Sequence, residues 1–442
     1  MFSLPDKVFN FVYVFMVIMS SVVFIHLAFY TFLGIFGLVK PKRTYTLKND
    51  EKKFLFIIPA HNEEAVIGNC LDSLLAMDYK KELYDAVVLA DHCSDNTAKI
   101  AKEYPTIKVF ENFYKEGESR GKPHVIAKYI EQFKEEWLTY DYLVLLDADN
   151  VVLENFLTEM NSQFLEQEGY TVIQGYLDSK NVSESMMSRG YAAAYFITNR
   201  AIQYSKHRLG WNTAIGGTGF AISTDYIEKE GWNPRSYTED FEIQVELSIK
   251  GLKSTWNHFA KVYDEKPNRL SVSHTQRTRW AQGHWFVGIT KTPEQIKSLF
   301  KKQTLVERLS RIETLVYSYS MLRSVWLFIL ALLVVVDIRF AEIFPSFFSL
   351  FWFWVIFEVL NYLVLPNVYI YQEGKDYFKG FSSVKKVKEF ILLWIGYFYS
   401  TAMYYFAQVK GFFTWFYPQN HWKKTTHSSA VTIEDVNHKK DS

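Results

Sequence analysis

Seven short stretches carry residues whose types and spacing could do chemistry. Asp147 and Asp149 of "DADN" are alternate residues closing the most hydrophobic run, and a strand that stops there would let both carboxylates converge. Converging carboxylates attract a hard cation, and oxygen donors with open positions suit Mg2+ or Mn2+ bridging phosphates. A solvated turn would carry the same two acids. Glu63 of "PAHNEE" and Asp91 of "ADHCSDNT" follow two other apolar runs. Asp91 could accept the imide N–H of a uracil or merely cap the next turn. Lys122 of "RGK" could meet phosphate or stand in solvent. Gly217, with Gly216 and Gly219 in "GGTGF", would let backbone approach a ligand or simply form a turn. Asp240, beside Glu239 in "YTED", could be a general base or an ordinary residue of a first helical turn. Last come Gln276, Arg279 and Trp280 of "QRTRW". A guanidinium suits phosphate or carboxylate, and an indole face suits a flat, partly apolar sugar ring.

Such residues need elements to hold them. Residues 41–290 alternate apolar runs with amphipathic stretches, which predicts an α/β domain with a largely parallel sheet. Strands are expected at 53–59, 85–90, 108–111, 142–148 and 171–175, with a helix over 63–77. Ligands of these sheets sit off the carboxyl ends of the strands, where most of the residues above fall.

Membrane signals flank this domain. Residues 8–39 hold no Asp, Glu, Lys or Arg, so 1–40 reads as a retained anchor. Six Lys or Arg within 40–53 mark that flank as cytoplasmic and the N-terminus as outside. Three further spans are expected at 314–336, 343–366 and 390–409, inside a membrane region covering 314–413. The count and the basic flanks disagree over the last of them, which leaves open a re-entrant or interfacial segment. Arg323 and Glu358 fall at matched depth and are expected to pair or to line one polar passage. Within 291–313, an amphipathic basic helix over 296–312 suits an anionic membrane surface, and 414–442 reads as a polar tail without structure. A net charge of +1 argues against a nucleic-acid binder. Two cysteines, Cys70 and Cys93, imply no disulfide framework and fit a reducing cytosol.

Taken in order, "DAD", "TED" and "QRTRW" resemble the membrane-embedded family-2 glycosyltransferases, the group of the cellulose, chitin, hyaluronan and poly-N-acetylglucosamine synthases. The resemblance covers about residues 50–290. It implies a GT-A fold, a UDP-sugar donor, and Mg2+ or Mn2+. It implies Asp91 at the uracil, Asp147 and Asp149 around the diphosphate and metal, and Asp240, with Glu239 beside it, as the catalytic base. Gln276, Arg279 and Trp280 would bind the diphosphate and line the acceptor terminus, and Glu63, Lys122 and Gly217 would join the donor site. Pro123 and His124 depart from the pattern, since many relatives have a glycine after that lysine. The expected protein is a multi-pass enzyme of the cell membrane with a cytoplasmic catalytic domain, extending a growing polysaccharide with inversion. Transfer of one sugar to a polyprenyl-phosphate or other lipid is the alternative; a transporter or silent scaffold is a third. Sugar, linkage and oligomeric state are not encoded legibly.

Overall fold

The protein is described by a computed structural model covering residues 4–114, 118, 120–233, 236–343, 351–417, 427 and 431–436, with backbone alone at 351–354. Its catalytic part is one eight-stranded sheet in the order β3-β2-β1-β4-β7-β6-β8-β5. The strands are β1 (Phe54–Ala60), β2 (Tyr84–Asp91), β3 (Ile107–Asn112), β4 (Tyr142–Leu145), β5 (Val151–Val152), β6 (Tyr170–Ser179), β7 (Phe220–Ser223) and β8 (Lys253–Asp264). β1 runs parallel to β2 and β4, β2 to β3, and β6 to β8. β7 is antiparallel to both its neighbours, and β5 to β8. This is a GT-A-like fold built on a mostly parallel mixed sheet.

Both faces of the sheet are covered, which explains why its first strand reads as an unbroken apolar run. Phe54, Phe56 and Ile58 join one buried cluster with Leu71, Leu74 and Met160, while Leu55 and Ile57 join another with Val125, Ile126 and Ile243. Burying each such side chain is worth about 1.5–3 kcal/mol.

Several expected elements differ in extent. The helix expected over 63–77 is confined to Ile67–Leu75. Its first residues are instead drawn into a turn by Asn62, whose φ is 56°, and by the Glu63 N–H, which donates to Thr97 Oγ1 at 2.7 Å. β4 stops at Leu145, short of the expected 148, because the Asp147 N–H is given to Thr218 Oγ1 at 2.9 Å rather than to a neighbouring strand. β5, β7 and β8 were not anticipated. The helix expected over 296–312 is two helices: Leu270–Leu299 ends, and Leu305–Tyr317 begins at a capping box between Thr304 and Glu307.

Among the described residues, three helical stretches are long and apolar enough to cross a membrane: Asp6–Leu38, Leu305–Val336 and Ser383–Thr414. Part of the span expected at 343–366 lies outside the described residues. Leu305–Val336 is welded to the domain by Glu313, whose carboxylate meets the fully buried Lys206 ammonium at 2.6 Å and the Tyr30 hydroxyl at 3.0 Å. No ion pair joins Arg323 to Glu358 among the described residues. Arg323 donates instead to the Tyr362 hydroxyl, one helical turn beyond Glu358 on the same face.

Candidate active site

The turns after β1, β2 and β4 open into one cavity of about 670 Å³. It is lined by all eleven of the residues Glu63, Asp91, Lys122, Asp147, Asp149, Gly217, Glu239, Asp240, Gln276, Arg279 and Trp280. The sheet dictates this meeting. β1 and β2 are parallel and in register to their ends, with Ala60 opposite Ala90, so the loops that follow them leave from one edge.

At the β2 end, Asp91 is buried and accepts from Asn112 Nδ2 at 2.8 Å and from the Tyr114 hydroxyl at 2.7 Å. The next residue, His92, has a φ of 51°, a left-handed conformation that turns the chain away and leaves Asp91 facing the cavity. Arg120 lies over the Tyr114 ring at 5.6 Å. The pocket thus offers acceptor oxygens beside an aromatic plane.

The "DAD" turn separates its two acids by environment. Asp149 is buried, accepts the Glu265 N–H at 2.8 Å and the Asn150 Nδ2 at 3.0 Å, and lies near His427 and Lys180. Burial opposes its charge, but His427, Lys180 and the Glu265 amide win and hold its carboxyl below the ordinary aspartate value. Asp147 is more open and accepts from Lys122 Nζ at 2.7 Å. Both present hard oxygen donors at the cavity, a set that fits a divalent cation. Among the described residues no three His, Cys, Asp or Glu side chains are grouped closely enough to cage a metal ion. A cation here would complete its shell from a ligand's phosphates.

Lys122 ties the motifs together. Its ammonium sits 2.7 Å from Asp147 Oδ1, 3.4 Å from Glu239 Oε1 and 2.6 Å from the Gly217 carbonyl oxygen. Burial opposes its charge, yet Asp147 and Glu239 raise its pKa. The lysine bridges protein carboxylates rather than standing open to a phosphate. Pro123 fits as the start of the helix Lys122–Gln132, where a missing N–H costs nothing.

Asp240 and Glu239 open the helix Glu239–Lys250. Burial, reinforced by the neighbouring Glu239 carboxylate, pushes Asp240 up to about 7. Glu239 is likewise raised by burial, against the pull of Lys122. Gly217 makes room for the base: its φ is 78°, and a Cβ there would lie 3.2 Å from Asp240 Oδ2.

The helix Leu270–Leu299 sorts "QRTRW" by its period. Gln276, Arg279 and Trp280 share the cavity face. Arg279 lies near Tyr237 and Glu239, and burial lowers its pKa. Trp280 meets Tyr191 edge-on at 6.3 Å between centroids. Arg277 points the other way, giving two hydrogen bonds to Ser400, to its carbonyl at 2.6 Å and its hydroxyl at 2.7 Å. The two arginines therefore serve different ends.

Five contributors went unnoticed in the sequence. Tyr114 and Asn112 bind Asp91, and only their place after a strand could have flagged them. Tyr404 and Gln408 reach the cavity from Ser383–Thr414. His427, from a tail expected to lack structure, sets Nδ1 3.0 Å from Glu63 Oε2. Asp149 and Glu63 overcome burial and raise its pKa to about 9.

This sheet, with carboxylates at its strand ends in this order, defines a GT-A glycosyltransferase. Residues 52–283 match the glycosyltransferase-like family 2, and the chain belongs to that family. Among curated relatives it is 26% identical over 265 residues to the probable glycosyltransferase YdaM of Bacillus subtilis, covering 58% of this chain and 60% of that one. It is 24% identical over 238 residues to the beta-monoglucosyldiacylglycerol synthase of Trichormus variabilis, covering 51% and 48%. The match thus spans 48–60% of these relatives' length. Among solved structures it is similar to the mannosyltransferase PcManGT from Pyrobaculum calidifontis in complex with GDP-Man and Mn2+, with a TM-score of 0.55, 15% identity, and coverage of 81% of this chain and 96% of that one.

Proposed function

We propose that this enzyme moves a sugar from a UDP-sugar onto a hydroxyl of a growing, beta-linked polysaccharide, with inversion at the transferred carbon. The observation that carries this reading is a single cavity running from Asp91, past Lys122, Asp147 and Asp240, to an end lined by Trp280, Tyr191, Tyr195 and Tyr404. Aromatic faces there suit the C–H faces of sugar rings.

The residues divide the work by position. Asp91 accepts the imide N–H of the base. Asp147 and Asp149 would hold Mg2+ or Mn2+, which when bound offsets the charge of the diphosphate. The Mn2+ in the mannosyltransferase complex supports that choice. Gln276 and the Arg279 guanidinium meet the diphosphate, where negative charge grows as UDP leaves. The acceptor oxygen attacks the anomeric carbon from the face opposite UDP. That carbon–oxygen bond forms while the bond to the β-phosphate oxygen breaks, and UDP takes the electron pair. Asp240 takes the acceptor's proton, and its pKa of about 7 suits a base at neutral pH. One carboxylate is enough for inversion. Lys122 keeps Glu239 and Asp147 in place beside the diphosphate. The setting is the cell membrane, with several crossings and the catalytic domain in the cytoplasm.

A second reading, one sugar added to a lipid, is favoured by the beta-monoglucosyldiacylglycerol synthase among the relatives and by Tyr404 and Gln408, which bring the cavity to a membrane-type helix. Sizing the products of each UDP-sugar, with and without diacylglycerol, separates the two. A ladder of oligomers supports the first and a single lipid-soluble product the second. No UDP release from any UDP-sugar would refute both.

A further inference from the structure

Ser383–Thr414 has the length and apolarity of a membrane span, about 48 Å at the helical rise. Its surroundings say otherwise. Just before it, Asp376 pairs with Lys261 of β8 at 2.7 Å. Near its start, Glu389 pairs with Arg189 at 3.1 Å. At its middle it crosses Met186–Thr198 so closely that a Cβ on Gly190 would fall 2.3 Å from the Gly396 carbonyl oxygen. Ser400 takes the Arg277 guanidinium. At its end, Gln282 donates to Thr414 Oγ1 at 2.8 Å, two residues along from Trp280. Beyond it, Ile433 and Val436 bury against Val151 and Leu153, the strand that follows "DADN".

The chain is therefore fastened to the catalytic sheet both before and after this helix. A path that starts and finishes on one side of a bilayer crosses it an even number of times, and one helix makes one crossing or none. The outer face of the helix supplies the rest. Val384, Val387, Ile391, Ile395, Tyr399, Phe406 and Phe413 are all exposed, with Val384 at 81%, and their spacing of three, four or seven puts them on one stripe. Lys385, Lys386 and Lys388 stand exposed beside its amino-terminal end. An apolar stripe edged with lysine is what an anionic lipid surface binds.

We propose that Ser383–Thr414 does not cross the membrane but lies in its surface, stripe down among the acyl chains of the leaflet nearest the catalytic domain and lysines on anionic headgroups. The tail is then on the catalytic side, which resolves the conflict between the expected span count and the basic flanks. The helix also makes the lipid surface a neighbour of the cavity, because it carries Tyr404 and Gln408 into the wall.

Spin labels on the full chain test this directly. Single cysteines Val387→Cys, Ile395→Cys and Phe406→Cys, in a Cys70→Ala, Cys93→Ala background, are read in vesicles of phosphatidylcholine and phosphatidylglycerol. Equal, shallow depths at all three positions are expected. A helix that spans would spread them over up to about 28 Å, and such a spread overturns the proposal. An epitope added after Ser442 of the otherwise unaltered chain gives a second reading that needs no substitution in the helix. It should bind antibody only in permeabilised cells; binding in intact cells, with the catalytic domain still protected, overturns the proposal as well.

Discussion

Asp240→Asn should separate catalysis from stability in opposite directions. The amide keeps an oxygen to accept the Phe241 N–H, now at 2.8 Å, so local structure has no reason to change. It cannot take a proton, and losing a general base typically costs ~10²–10⁴ in rate. Stability moves the other way. The carboxyl's pKa rises from 3.8 to about 7 on folding, so between those values the native state holds a proton that the unfolded chain has lost. Stability from this group is intact below about pH 4, falls as pH rises, and reaches its full deficit above about pH 7. Three pKa units correspond to about 4 kcal/mol. The side chain's open edge toward the cavity lets water recover part of that, leaving about 2 kcal/mol. The asparagine variant should thus melt a few degrees higher than the unaltered protein at pH 8 and no higher at pH 4, while its UDP release is lost. Transfer within a few-fold of the unaltered rate, or a lower melting temperature at pH 8, would refute the reasoning.

The rate itself should rise with pH to a plateau with a midpoint near 7, since Asp240 must be ionised to act; a flat profile from pH 5 to 8 speaks against it. Arg279→Lys should lower turnover ~10²–10³-fold at unchanged melting temperature, because lysine loses the planar fork. Arg277→Met should chiefly lower melting temperature, since its two bonds to Ser400 are worth ~1.5–3 kcal/mol each. Gly217→Ala should cut the rate at least ~10-fold, measured by UDP release, as its Cβ crowds Asp240 in a conformation alanine resists. Excess EDTA should abolish transfer, and added Mn2+ should restore it; transfer that persists in EDTA would remove Asp147 and Asp149 from a metal site.

What could be read from the sequence follows the strength of local signals. Unbroken apolar runs placed β1 to β4 within a few residues, because strands buried on both faces leave no polar interruption. The site motifs were legible for the same reason: Glu63, Asp91 and Asp147 come directly after those runs. β5 has only two residues, and β7 is a four-residue piece held by partners distant in sequence, so neither carries a pattern of its own. The break between Leu299 and Leu305 was signalled by Thr304 and Glu307, which a continuous apolar face hid. Lys122 was ambiguous because its meaning depends on Asp147 and Glu239, which only the folded chain brings near. The side of the tail was beyond composition, since a span and a surface helix can share hydropathy and differ only in what they touch.

The central claim is that these carboxylates and Arg279 form an inverting transferase site for a UDP-sugar. The most direct measurement is proton NMR of the first products formed by purified protein with Mn2+ and a panel of alpha-linked UDP-sugars, taken while UDP release is followed. At least one donor should yield UDP together with a new beta linkage. An alpha-linked product would contradict the single-base mechanism, and release of UDP from none of the donors would contradict the site.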